Sequence, residues 1–154
     1  VWALGLRMPH FSFDVRTGGL WVVDAGQSGV QEVDWVPNPA PTTPNFGWSA
    51  FDGGDQFKPQ PTPGTLIQPL TAYGRSFGCF AVAGAVARGK ALRTYRGTYV
   101  FGDACSGRIW SVKRKDPKLV DTGLRVPKLA AIGQDESGAM WLIDATGRLS
   151  TVIP

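Results

Sequence analysis

Hydrophobic positions in this chain fall in short runs with polar residues between them at period two, which suits half-buried β-strands rather than helices. Phe11-Ser12-Phe13-Asp14 is one such run. A glycine pair separates it from Leu20-Trp21-Val22-Val23, and Val30 to Val36 follows. The series then recurs. Ala81 to Ala87, Tyr99-Val100-Phe101 and Arg108 to Val112 form a second set, and Leu129 to Ile132, Met140 to Ile143 and Arg148 to Ile153 a third. In each set the middle run ends in an aspartate (Asp24, Asp103 or Asp144), followed by small residues and a glycine. Strand, turn, strand, Asp turn, strand describes an antiparallel meander. Its repetition predicts an all-β fold of successive β-propeller blades, near residues 4–36, 79–114 and 127–154.

Asp103 and Asp144 are about one blade repeat apart, roughly 40 residues. Asp24 and Asp103 are nearly twice as far apart. The excess is residues 37–78, rich in Pro, Thr, Gly and Asn, and this stretch reads as a long loop decorating one end of the blades. About three four-stranded blades do not close a ring, and an open stack leaves apolar blade faces bare. The chain also opens directly in structured sequence, Val1-Trp2-Ala3-Leu4. The expectation is therefore a fragment of a larger propeller whose other blades lie upstream, one that folds poorly or self-associates when isolated.

Composition narrows the picture further. With 20 Gly, 12 Pro and only 18% charged residues, the chain suits short strands and tight turns. It has neither an apolar run long enough to span a bilayer nor a leader-like pattern at its start. The net charge of +4 is mild, and its one cluster, Lys113-Arg114-Lys115, reads as a solvated loop between strands. A nucleic-acid footprint would gather basic residues and aromatics on one face, so no nucleic-acid partner is expected. Cys79 precedes one strand and Cys105 sits in the turn after another of the same repeat. A hairpin-built blade can bring such positions within bridging distance, two buried thiols being the alternative. A disulfide would imply a periplasmic or extracellular protein.

Four ordered stretches carry more specific information. They are Leu4-Gly5-Leu6-Arg7-Met8-Pro9 with Phe11 to Asp14; Leu20 to Gln27 with Glu32-Val33-Asp34; Asn45-Phe46-Gly47-Trp48; and Gly78-Cys79 with Tyr99 to Trp110. Together they resemble the motifs of the glucose/sorbosone dehydrogenase family, six-bladed propellers that include soluble aldose dehydrogenases dependent on pyrroloquinoline quinone (PQQ). The fourth stretch resembles the Cys-paired branch of that family. The resemblance implies PQQ and Ca²⁺ as cofactors, and a sugar and an electron acceptor as small-molecule partners. It also implies oxidation of a sugar hydroxyl by hydride transfer to the quinone, with this chain as the C-terminal part of the enzyme. The family's proton-abstracting histidine belongs to a blade upstream, so no catalytic residue is expected here.

By the same resemblance Arg7 is the cofactor contact. A planar, permanently charged donor suits anionic oxygens, although an arginine tying a blade turn is an equal reading. The main-chain carbonyls of Gly26 and Gln27 correspond to calcium ligands, and a hard cation takes such oxygens readily. Trp48, in the long loop, is the candidate to face substrate. Some positions depart from the pattern. Met8 stands where the family has Asn, Cys105-Ser106 where it has Lys, and Arg125 and Lys128 only loosely match its carboxylate clamp. These departures sustain an alternative, a non-catalytic secreted binding propeller similar to the Hedgehog-interacting branch. His10 reads as structural or exposed rather than as the base. Asp24, Asp103 and Asp144 read as turn-fixing carboxylates, and Trp21, Trp110 and Trp141 as inter-blade core.

Overall fold

Each repeated meander forms one antiparallel sheet in the computed structural model, which describes residues 1–90 and 92–152. Ile153, at the end of the last expected strand, and Pro154 lie outside the described residues. The first sheet opens with β1 (Pro9–Phe13), β2 (Leu20–Ala25) and β3 (Gln31–Val36), in a register that sets Val22 opposite Asp34 and Asp24 opposite Glu32. The chain then runs through four two-residue strands: β4 (Pro44–Asn45), β5 (Phe51–Asp52), β6 (Asp55–Gln56) and β7 (Thr65–Leu66). It returns as β8 (Thr71–Tyr73), the fourth strand of the first sheet, paired to β3.

Residues 37–78 therefore differ from the plain loop expected of them. They fold on themselves, β4 parallel to β7 and β5 hairpinned to β6, before completing the first sheet. Thr-Ala-Tyr is too short to show a period-two signal, so β8 could not be read from the pattern.

The second sheet contains β9 (Ala81–Val86), β10 (Tyr99–Asp103), β11 (Arg108–Lys113) and β12 (Asp116–Arg125). The third has β13 (Leu129–Gln134), β14 (Met140–Asp144) and β15 (Leu149–Thr151), three strands among the described residues. β9 packs against both β1 and β13, so the first strands of successive sheets lie side by side along one axis, as in a β-propeller.

Apolar residues fill the spaces between sheets. Trp21, Val23, Val33, Tyr73, Phe101 and Trp110 bury the first sheet against the second, and the rings of Trp21 and Tyr99 stack 4.6 Å apart. Val82, Val100, Ile109, Leu129, Met140 and Leu142 join the second sheet to the third. Each large side chain so buried contributes about 1.5–3 kcal/mol. Trp141 departs from the core role expected of it. Along β14, Met140 and Leu142 point inward, while Trp141 is 37% exposed and Ile143 41% exposed. Trp141 lies on the outer face of the last sheet and spends its indole N–H on Asp135 at 2.9 Å.

Cys79 and Cys105 form a disulfide, with Cα atoms 5.7 Å apart, between the entry to β9 and the turn after β10. It marks one end of the sheets, shared with the turns after β2 and β14. The turns after β1, β9, β11 and β13 lie at the opposite end. Among the described residues no helix is long and apolar enough to cross a membrane.

Candidate functional site

At the disulfide end of the first sheet, the segment before β1 lies along the loop. Leu4 N–H donates to Pro44 O, Phe46 N–H to Leu4 O and Trp48 N–H to Gly5 O, at 2.9, 3.0 and 2.9 Å. Gly5 has φ of 71°, and a Cβ there would run into the Asn45 side chain, so the close approach requires glycine. This pairing delivers Arg7 to Trp48, its guanidinium 5.6 Å from the ring centroid. Arg7 Nε and Nη2 donate to Gln27 Oε1 at 3.1 and 2.7 Å, and Nη1 to Ala25 O at 2.8 Å. The structure thus brings Arg7, Gln27 and Trp48 together. It shows Arg7 tying the turn after β2, the second of its two sequence readings, while an arginine's five N–H donors leave some uncommitted.

That turn is held from outside itself. Gln27 and Ser28 donate their N–H groups to the two oxygens of Asp52, at 3.1 and 2.6 Å. Glycine is needed at position 26, because a Cβ would collide with the Asp52 carboxylate and with Val30 O. Among the described residues no hydrogen bond reaches the carbonyl oxygens of Gly26 or Gln27. Two uncommitted main-chain oxygens suit a hard cation, and these residues fit calcium in that respect. Among the described residues no group of three or more His, Cys, Asp or Glu side chains is arranged around a metal, so any such site would rest on main-chain oxygens.

Acidic side chains lie beneath the turn. Asp24, Glu32 and Asp34 share one face of β2 and β3 with Leu20, Val22, Val36 and Phe46. Asp24 accepts the backbone N–H of Arg7 at 2.7 Å and of Met8 at 2.6 Å. Both carboxylate oxygens of Asp34 and Oε2 of Glu32 are buried without a hydrogen-bond partner among the described residues. Burial, then the charges of Asp24 and Asp52, push the Glu32 carboxyl up to about 8. Burial, then Glu32 and Asp24, push Asp34 well above the usual range. Asp24 is raised by burial, opposed by the amides it accepts from Arg7 and Met8. Uncompensated buried carboxylates are costly, so this face favours positive charge beside it.

Other candidates lie apart from this cluster. His10 is exposed, with its ring edge-on to Phe80 at 5.5 Å. Arg125 is held by Asp121 through two bonds of 2.8 and 2.7 Å, and Lys128 is exposed at the entry to β13. Asp103 and Asp144 fix their own turns as expected. Asp24 accepts backbone N–H groups too, but from the segment before β1. Sequence reading missed Asp52 and the chemistry of Glu32 and Asp34. The acids did leave a trace: at period two they share a face with Val36, so a strand with that face buried must bury them.

No family model matches the chain. The HIPL1 protein of Arabidopsis thaliana is 28% identical over 127 residues, spanning 72% of this chain and 18% of that protein. Several solved structures share the fold. A glucose dehydrogenase superposes with a TM-score of 0.73 at 22% identity, over 100% of this chain and 47% of that one. The apo soluble aldose sugar dehydrogenase of Escherichia coli gives 0.70 at 14% identity, over 98% and 45%. The PQQ-bound aldose sugar dehydrogenase of Streptomyces coelicolor gives 0.66 at 14% identity, over 94% and 39%. The chain has the fold of these sugar dehydrogenases and spans less than half the length of each of these four proteins.

Proposed function

We propose that this chain is part of a PQQ- and calcium-dependent dehydrogenase of sugar hydroxyls, in which Arg7, the Gly26-Gln27 turn and Trp48 form one wall of the cofactor cleft. The observation that carries this reading is the convergence of Arg7, Gln27 and Trp48 from three separate segments. The sugar-dehydrogenase fold, one example of which was solved with PQQ bound, supports it. When bound, PQQ supplies the hydride acceptor. Arg7 offers its remaining N–H donors to anionic oxygens, held in place by Gln27 and Ala25. Trp48, backed by Phe57 at 5.3 Å, offers a flat apolar face for a planar ring. The carbonyls of Gly26 and Gln27 would hold calcium, and Asp52 keeps their turn in shape. The disulfide fits work in an oxidising compartment, periplasmic or extracellular.

Full-length protein titrated with PQQ in the presence of Ca²⁺, followed by quinone absorbance, should bind saturably and lose that binding in EDTA. It should then reduce a dye with an aldose as donor. A second reading, a binding propeller without redox chemistry, rests on Met8, whose side chain is 47% exposed beside Arg7 in place of a hydrogen-bonding Asn. Absence of saturable PQQ binding would favour that reading and defeat the first.

A further inference from the structure

The end of the sheets opposite the disulfide carries a feature that dehydrogenase chemistry does not use. Of Lys113-Arg114-Lys115, read from sequence as a solvated loop, Lys113 ends β11, and Arg114 and Lys115 form the tight turn to β12. Arg114 folds back from it across the sheet boundary, its guanidinium 4.3 Å from the centroid of Trp35 in the first sheet. Trp35 and Arg114 line a cavity of about 310 Å³ that also includes Asp14 and Arg88. Arg88 lines a neighbouring cavity of about 510 Å³ as well, with Lys90, Arg93 and Arg96. The two cavities meet at Arg88 and together form a track lined by five cationic side chains and the rings of Trp21 and Trp35.

Most of that charge is free. Asp14 neutralises Arg88 through two bonds of 3.1 and 2.6 Å. Among the described residues no ion pair engages Lys90, Arg93, Arg96 or Arg114, and all four are exposed. In the β13–β14 turn, Asp135 is occupied by Ser137, Ala139 and Trp141, and Glu136 is exposed next to Ser137, which lines the second cavity. Unpaired like charges held together in a concavity create a focused positive potential, which an extended anion relieves.

We propose that this end binds an acidic polysaccharide, a chain of carboxylated or sulfated sugars laid along the track from Arg96 to Arg114. Three features favour that partner. Guanidinium groups pair with carboxylate and sulfate through two parallel bonds, and three of the four free cations are arginines. Stacking on Trp35 holds the Arg114 guanidinium in place, which lowers the cost of pairing it with an anion. The disulfide suits an oxidising compartment, and outside the cell acidic glycans are abundant polyanions. A membrane surface fits less well, because Trp35 is recessed under Arg114 rather than projecting to insert among lipids. This proposal stands apart from the redox reading and survives its failure.

The test uses full-length protein and the fluorescence anisotropy of labelled oligogalacturonate, with oligothymidylate of equal charge and neutral dextran oligomers as comparison probes. Oligogalacturonate should bind saturably and more weakly as salt rises, and dextran should not bind. The double variant Arg93→Glu/Arg96→Glu should lose at least about tenfold in affinity, and Arg114→Gln a smaller factor. Arg125→Glu, an exposed charge reversal at the disulfide end, should leave binding unchanged. All these side chains are exposed, and thermal melts matching the wild type would confirm that the variants fold. Three results would overturn the proposal: no binding of oligogalacturonate, an unaltered Arg93→Glu/Arg96→Glu variant, or tighter binding of the oligonucleotide than of the glycan at equal charge.

Discussion

Asp103 and Asp24 occupy the same place in successive repeats, at the end of the second strand of a sheet, and both are buried. Asp103 fixes its own turn and also reaches back to the segment before its sheet and to the first sheet. It accepts the N–H groups of Cys105 and Ser106 at 3.0 and 2.8 Å, the Ser106 hydroxyl at 3.0 Å, the Phe80 N–H at 2.9 Å and the Tyr73 hydroxyl at 3.0 Å. Asp144 fixes its own turn in the third sheet with Thr146 and Arg148. Among the described residues Asp24 makes no bond to the N–H groups of Gly26, Gln27 or Ser28 in the turn that follows it. It holds the backbone of Arg7 and Met8, and the vacated role passes to Asp52, which reaches in from the long loop. A repeat that fixes its own turn is scaffold. A repeat whose aspartate is diverted frees the turn to be shaped by the rest of the chain, and the candidate site sits there.

The sharpest way to break this contrast is to remove the scaffold carboxylate. Asp103→Ala leaves Phe80, Cys105 and Ser106 amides and the Tyr73 hydroxyl without their acceptor in a buried place. Urea unfolding should show a loss of about 3–5 kcal/mol. A loss below about 1 kcal/mol would mean that water replaces the carboxylate freely and that Asp103 is no keystone.

Next in size is the pH response of the diverted repeat. Glu32 is held up at about 8 by burial and by the charges of Asp24 and Asp52, against an ordinary value near 4.5. Between those values the folded protein binds a proton that the unfolded chain has released. The contribution of Glu32 is therefore full below about pH 4.5 and falls as pH rises toward 8. In calcium-free buffer Glu32→Gln should flatten that slope and gain stability at pH 8. A slope unchanged by the substitution would show that another group titrates there.

Asp52→Ala should have a smaller effect on stability, about 1–2 kcal/mol, because the freed Gln27 and Ser28 amides are exposed and water can reach them. Its effect on affinity for Ca²⁺, read by isothermal titration, should be larger in proportion, since the turn loses its external support. Smallest is Asp144→Asn. The Thr146 hydroxyl, ahead of the Arg148 contacts, keeps this carboxyl at about 2. Its contribution is present above the ordinary carboxylate range and lost only as pH falls through about 2, so a thermal melt at neutral pH should show a slight drop and one near pH 2 almost none.

Much of the scaffold was legible in the sequence, because a repeated period of two with an aspartate at each turn admits few folds. Asp103 and Asp144 followed the expectation that such aspartates fix turns. Asp24 followed it only in kind, since its partners lie 17 and 16 residues upstream, which no local pattern encodes. Arg7, Gln27 and Trp48 were each singled out, but their meeting depends on the Leu4-Gly5 segment pairing with the loop, a non-local contact. Asp52 gave no signal beyond a turn-forming Asp-Gly. Trp141 looked like Trp21 and Trp110 in sequence and differs because the outer face of its sheet is bare. Arg114 looked solvated because the ring it covers, Trp35, belongs to another sheet.

In the function proposed above, the first repeat serves as site while the second and third remain scaffold. The most direct test of this contrast compares Asp24→Asn with Asp144→Asn in full-length protein, measuring affinity for PQQ in the presence of Ca²⁺ together with the melting temperature. The account predicts that Asp24→Asn, by loosening Arg7 and Met8, loses about tenfold or more in affinity, a little over 1.4 kcal/mol. Asp144→Asn should keep wild-type affinity. Equal affinities in the two variants, whether both retained or both lost, would contradict it.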